Sequence, residues 1–381
     1  MTSNTTLTAR MLKDYAKSQT VGNGGDFEIL GIAPIERFAG APEQMHPKNI
    51  FPDCRSVISI IQPIPRSCYR GITEGTYWPN YSFYAYNRLN TLFRPMLTYN
   101  VARFIEDHGY EAVPIYPAVP EAYPEKAEPR APGRPVPDIN INVRIAAMLC
   151  GLGEIGWSKV FIHPTYGPRV RIGTILTDAV LDYDEIMKPG TLCKMCMRCA
   201  QSCPGNAIPH RKENKTVTIQ VNGKNYQWGD VHMGRCTATH HGVNPRISPF
   251  FKRYFQGVDL DINNSNISQA TAYKLTFTLA LAKWRSEYPE YPGTDVIPYY
   301  RQMLAHVGYF AVCGARGCIR ACMDFQEKSR NIRQCDFATP VFPEKYWELP
   351  PPSQDDTGGI VEKKKLTDLF QEPDLDAGSW E

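Results

Sequence analysis

Missing from this chain of 381 residues is any long hydrophobic run. No uninterrupted apolar stretch approaches the ~20 residues that cross a bilayer, which excludes a membrane-spanning helix. The opening residues Met1-Thr2-Ser3-Asn4-Thr5-Thr6-Leu7-Thr8 hold no basic segment, no apolar stretch and no twin arginine. On that ground the chain as given reads as cytoplasmic; the alternative is an exported form with its signal removed. An excess of one charge sign is also missing. The formal net charge of +3 is too small to argue for nucleic acid or a membrane surface as a partner. No internal repeat is visible beyond the two cysteine motifs.

Cysteine is abundant, with 12 in a chain that is 43% hydrophobic and therefore globular. Cys193-Lys194-Met195-Cys196-Met197-Arg198-Cys199-Ala200-Gln201-Ser202-Cys203-Pro204 is the run C-x2-C-x2-C-x3-C-P, which holds iron–sulfur clusters through thiolates. A tight loop points the first three sulfurs at one cluster, and the fourth serves another. Structural zinc is the competing reading, but zinc usually takes two well-separated C-x2-C pairs. A partner run follows in Cys313-Gly314-Ala315-Arg316-Gly317-Cys318-Ile319-Arg320-Ala321-Cys322, with Met323 where ferredoxins have proline, and Cys236 lies between the two runs. If the last cysteine of each run crosses over, Cys193, Cys196, Cys199 and Cys322 bind one [4Fe-4S] cluster. Cys203, Cys236, Cys313 and Cys318 then bind the second. Because eight cysteines follow cluster spacing, reduced thiolates rather than disulfides are expected. Cys54, Cys68, Cys150 and Cys335 show no ligand spacing and read as ordinary thiols.

The rest of the chain alternates helix and strand signals. Residues 8–20 read as an amphipathic helix. Residues 27–33 and 56–62 read as strands, the second largely apolar, bounded by turn signals and so buried. Residues 63–87 are rich in aromatics (Tyr69, Tyr77, Trp78, Tyr81, Phe83, Tyr84, Tyr86) and form either a packed loop or a wall for a flat ligand. Apolar positions at helical spacing run through 88–108, with Gly109 as the stop. Residues 110–117 read as an edge strand because they contain proline. Residues 117–138 hold seven prolines and form a loop. A helix over 143–150 leads into Gly151-Leu152-Gly153-Glu154-Ile155-Gly156, then Tyr166-Gly167-Pro168-Arg169-Val170-Arg171 and a strand over 172–178. The glycine spacing matches G-x-G-x-x-G, but a helix precedes it where a dinucleotide site needs a strand; the spacing is read instead as backbone passing close to something large. A hairpin is expected around Asn222-Gly223, helices over 268–286 and 297–307, and a surface tail from Pro340.

In this order, the two sequence motifs, Thr177-Asp178 and the cysteine runs resemble cobalamin-dependent reductive dehalogenases and their relatives the epoxyqueuosine reductases, over residues 25–325. The resemblance implies an α/β (α+β) fold: a nitroreductase-like cobalamin-binding core over 1–185, a two-cluster bacterial-ferredoxin-like module over 186–335 with an insertion at 205–310, and a tail over 336–381. It implies cobalamin held base-off, with Gly151, Leu152, Gly153, Gly156 and Tyr166 at the cofactor. One cluster is expected near the corrin and one near the surface. An external low-potential electron donor of ferredoxin or flavodoxin type would feed the clusters. The expected activity is reductive cleavage of a carbon–halogen or similar bond in a small organic substrate. A tRNA-modifying epoxyqueuosine reductase is the alternative, and only that alternative needs nucleic acid. A two-cluster electron carrier is a third class, disfavoured because a carrier has no use for the long segment before Cys193.

The resemblance also calls for a tyrosine proton donor upstream of the glycine motif, with a basic residue and an asparagine. By order and spacing these are Tyr116, Arg171 and Asn142. The Tyr116 hydroxyl is expected to face a cavity while its ring packs, and Arg171 to stabilise the phenolate. Tyr110, Arg169, Asn140 and Asp138 are the rivals. His240 and His241 follow Cys236 closely and read as hydrogen-bonding groups rather than a metal site. Departures from the family pattern are Trp157-Ser158, Met323 and the absent twin-arginine leader.

Overall fold

The computed structural model describes residues 6–19, 29–71, 80–116, 128–129, 131–136, 139–244, 246–247, 261–281 and 311–342. Its centre is a four-stranded antiparallel sheet in the order β1 (Leu30–Pro34), β2 (Ser56–Pro63), β6 (Val170–Thr177), β3 (Ala112–Ile115). Strands β2 and β6 pair along their whole length, from Ser56↔Thr177 to Pro63↔Val170. Six successive residues of β2 are buried, and β6 is buried except at Arg171. That continuous burial, rather than alternation, is what a sheet covered on both faces requires. Helix α2 (Arg94–Glu106) lies on one face, so close that a Cβ on Gly173 of β6 would strike the Thr98 side chain. On the other face lies α3 (Val143–Leu149), whose C-terminal neighbour Cys150 donates its thiol to the Val57 carbonyl at 3.2 Å. Pro114 is tolerated because β3 is an edge strand.

Helix α1 (Ala9–Ser18) starts at Thr8, whose hydroxyl accepts from the Met11 N–H. It buries Ala9, Leu12 and Ala16 and stacks Tyr15 on Phe104 of α2 at 4.1 Å. The helix expected over 88–108 is regular only from Arg94. Before it, Tyr81–Asn87 and Leu89–Phe93 are wound as π-helix, a widening often found at functional sites. Two short strands, β4 (Glu154–Ile155) and β5 (Phe161–Ile162), form a ribbon after the glycine motif. The expected hairpin is present as β7 (Thr216–Val221) and β8 (Lys224–Gly229), with positive φ at both Asn222 and Gly223.

The cysteine-bearing part is mostly helical: α4 (Arg198–Gln201), α5 (Met233–His240), α6 (Gln269–Leu281), α7 (Cys313–Arg316) and α8 (Cys318–Lys328). Met323 is buried inside α8, which explains the missing proline. A proline there would remove a backbone donor in mid-helix. The helix expected over 297–307, Tyr77, Trp78, Asp138 and most of the tail fall outside the described residues. Among the described residues no helix is long and apolar enough to cross a membrane.

Candidate functional site

The fold brings the seven cysteines of the two runs, with Cys236, into two neighbouring sets. Cys193, Cys196, Cys199 and Cys322 line one open pocket. Burial pushes the Cys322 thiol upward, and its charged neighbours are Cys193, Cys199 and Cys196. Cys313 is likewise raised by burial and then by Cys318, Cys203 and Cys236. Cys318 feels Cys236 and Cys203 first and, more weakly, Cys199 and Cys322 of the other set. The sets therefore adjoin, and α8 contributes Cys318 to one and Cys322 to the other. Among the described residues no three His, Cys, Asp or Glu side chains converge as a single metal ion would need. A four-iron cluster makes no such demand, because it takes each thiolate on a different iron.

Backbone donors face the sulfurs: the Trp157 N–H reaches Cys193 Sγ at 3.3 Å, and the Ala207 N–H reaches Cys203 Sγ at 3.3 Å. Hydrogen bonds to sulfur raise a cluster's reduction potential by stabilising its more negative form. The loop carrying Cys193 is held by Glu154. This buried carboxylate accepts from the N–H groups of Gly190 (2.6 Å), Leu192 (2.7 Å) and Cys193 (3.1 Å). Glu154 belongs to the glycine motif, and that placement changes the reading of the motif. Gly151, at φ +78°, closes α3, and a Cβ there would sit 2.5 Å from the Glu185 carbonyl. Gly153 abuts the Ile162 carbonyl of β5, and Gly156 lines the sulfur cavity. The close approach inferred from the spacing is thus made to the chain itself and to the first cysteine set. Leu152 is buried in the main core. Tyr166 is buried and stacked on His163.

A second feature adjoins the other set. The guanidinium of Arg171 lies over the Tyr86 ring, 4.0 Å from its centroid, with the hydroxyls of Tyr81 and Tyr69 nearby. Burial opposes the charge of Arg171, but the phenols of Tyr86, Tyr81 and Tyr69 outweigh burial and raise its pKa. All three phenols are raised by burial, with Arg171 pulling the other way, so they stay protonated at neutral pH. Arg171 Nε and Nη2, Tyr69 Oη and Tyr81 Oη are sealed from solvent and make no hydrogen bond of full geometry. Tyr81 is electrostatically close enough to Arg171 to act as a partner all the same. The Tyr86 ring also contacts His240 at 4.9 Å. Burial, then His241, Arg171 and Arg144, depress His240, leaving it neutral. Cys236 and Cys318 are among the charges felt by Tyr86. Tyr81 further touches the cysteine loop, because a Cβ on Gly314 would collide with its hydroxyl. Buried polar atoms without partners are costly, and this cluster gathers four of them on Arg171, Tyr69 and Tyr81.

The other expected site residues lie elsewhere. The Tyr116 ring does not pack: it is 74% exposed, just past the edge strand. The Asn142 side chain caps α3, accepting from the N–H groups of Arg144 and Ile145. Arg169 donates to the Ile64 carbonyl and to Gln334. Tyr110 is half-buried against the main core, and Asn140 is buried. Sequence reasoning missed Glu154, hidden inside a motif read for its glycines. It also missed the individual roles of Tyr69, Tyr81 and Tyr86, although the aromatic run that holds them was visible.

No family model matches the chain. Among curated proteins, the tetrachloroethene reductive dehalogenase of Desulfitobacterium hafniense is 32% identical over 123 residues, covering 32% of this chain and 18% of that protein. The enzyme of that name from Sulfurospirillum multivorans is 30% identical over 117 residues, covering 28% of this chain and 23% of that protein. The chain is similar to reductive dehalogenases. The match spans about a fifth of the length of those relatives. Among solved structures, epoxyqueuosine reductase from Streptococcus thermophilus is 13% identical over 84% of this chain and 81% of that one, at a TM-score of 0.39. A reductive dehalogenase whose structure is described as suggesting a mechanism for B12-dependent dehalogenation is 13% identical, covering 92% and 47%, at a TM-score of 0.37. Likenesses below a TM-score of 0.5 do not fix the fold.

Proposed function

We propose that this chain is a cobalamin- and iron–sulfur-dependent reductase that cleaves a carbon–halogen bond of a small organic substrate. The observation that carries the reading is the closeness of the Arg171–tyrosine cluster to one of two adjoining four-cysteine sets. A nitroreductase-like core and a ferredoxin-like module, divided near residue 186, are part of the same proposal. So are two [4Fe-4S] clusters on the two sets. Replacing halide by hydrogen consumes two electrons and one proton: R–X + 2e⁻ + H⁺ gives R–H and X⁻. Clusters deliver one electron at a time, and two in series match that need. Cobalamin, when bound, supplies the reductive bond cleavage itself.

The chain's own residues supply proton and surroundings. Unmet polar atoms on Arg171, Tyr69 and Tyr81 fit a polar group bound beside them. By resemblance, Gly151, Leu152, Gly153, Gly156 and Tyr166 are the corrin's contacts, and Tyr116 and Asn142 act with Arg171. The geometry favours a different donor. Tyr86 holds its proton and lies directly under Arg171, whose charge stabilises the phenolate left after donation. Tyr86 and Arg171 are partly buried, with Arg171 Nε and Nη2 shielded from solvent, and this shielding favours transfer of the proton to a bound substrate.

The test is made on protein purified without oxygen and supplied with cobalamin. Iron of about eight per chain, stoichiometric cobalt and halide release with a reduced artificial donor are expected. Iron near four, or full activity without cobalt, would overturn the reading. Tyr86→Phe should keep both metals and lose about 100- to 10,000-fold in turnover. If Tyr116→Phe does this and Tyr86→Phe does not, the donor is Tyr116.

A further inference from the structure

The two cysteine sets differ in their access to solvent. The second set holds buried Cys313 and part-buried Cys203, Cys236 and Cys318 beside the Arg171–tyrosine cluster, whereas Cys196 of the first set is exposed. The cavity of the first set also reaches the surface through exposed Lys194 and Arg198. The surroundings of that opening are lopsided in charge. Arg198 and Lys328 both pair with Asp324, at 2.9 Å and 2.7 Å. Asp324 is only 8% exposed, while the two cations are 47% and 66% exposed. The carboxylate therefore organises two cations from beneath and shows almost none of its own charge outward. Lys194 adds a third exposed cation, its ammonium donating to the Gly190 carbonyl at 2.9 Å. Half-buried Met195 and Phe325 supply apolar area, with Arg198 lying over the Phe325 ring.

We propose that this face, Lys194, Arg198 and Lys328 around Cys196, docks an acidic one-electron carrier protein. The inference rests on the iron–sulfur reading above and adds the place and charge of electron entry. In each encounter the carrier is oxidised by one electron and the cluster of Cys193, Cys196, Cys199 and Cys322 is reduced by one. The electron then moves inward to the set of Cys203, Cys236, Cys313 and Cys318. No proton or co-reactant is needed. An exposed ligand shortens the transfer distance, and small apolar contacts ringed by charge give fast, short-lived complexes. Opposite charge on the carrier steers the encounter and makes its rate dependent on salt.

The experiment is rapid-mixing reduction of the iron-loaded chain by a reduced, acidic plant-type ferredoxin, read as bleaching of the visible cluster bands. The second-order rate constant should fall about tenfold or more as ionic strength rises from about 0.01 M to about 1 M. The double variant Lys194→Gln/Lys328→Gln should be slower at low salt by a similar factor and lose most of the salt dependence. Its iron content and its reduction by a zwitterionic viologen serve as controls for cluster damage. A rate indifferent to salt, or a variant matching the parent chain, would overturn the docking face while leaving the clusters in place. Failure to take up iron would instead sink the iron–sulfur reading, and the docking face with it.

Discussion

Glu154 shows how one side chain can hold a site that it never enters. Three backbone N–H groups converge on its carboxylate, and each left unsatisfied in the interior costs roughly 1–3 kcal/mol. Glu154→Ala should free the Gly190–Cys193 loop and with it the donor contact from Trp157 to Cys193. We expect iron to drop by about four per chain, lost from the first set only. Iron analysis alongside the spectrum of the remaining cluster measures it; retention of full iron would show that the loop holds itself. Glu154 was not legible as an anchor, since nothing in a sequence says which N–H groups a carboxylate will meet 36 residues downstream. Arg171 was legible as a charge near tyrosine. Which tyrosine it meets depends on the π-helical winding of Tyr81–Asn87, which carries no period a sequence reader counts.

At the scale of the element, α8 repays attention because its register assigns ligands. Cys318 and Cys322 lie one turn apart, about 6 Å along the axis at 1.5 Å per residue, and serve different sets. Restoring the ferredoxin-like proline by Met323→Pro would break this helix. The expected penalty is about 3 kcal/mol or more, together with loss of Cys322 from its set. Loss of iron with a lowered unfolding temperature checks this. If Met323→Pro keeps both, α8 bends without consequence. Several elements were readable beforehand: the buried strand from Ser56, the edge strand with Pro114, and the Asn222-Gly223 hairpin. Period and turn chemistry are local properties. The covering of both sheet faces, by contrast, depends on Gly173 meeting Thr98 and Cys150 meeting Val57, contacts between distant segments.

Across the whole molecule, a hydrophobic cluster of Ile64, Tyr69 and Tyr81 with Val312, Ile319 and Met323 joins the segment after β2 to the cysteine-bearing helices, and an ion pair reinforces it. Arg66, just beyond β2, grips Glu327 of α8 through two nitrogens, at 3.0 Å and 2.8 Å, and both side chains are largely buried. Arg66→Ala leaves Glu327 uncompensated and should cost about 3–5 kcal/mol, whereas Arg66→Met with Glu327→Met should cost much less. Urea unfolding of the three proteins decides this; equal losses for the single and double variants would show that the pair does not act as a unit.

The shared helix has a consequence for how the protein is made. Neither four-cysteine set is complete without residues from 313–322, so a chain still emerging from the ribosome carries seven-tenths or more of its length with only partial ligand sets. Those early thiols wait unprotected while the sheet, whose strands all precede residue 178, is free to fold first. On the proposed assignment, metal loading would be a late event, gated by the arrival of one short helix.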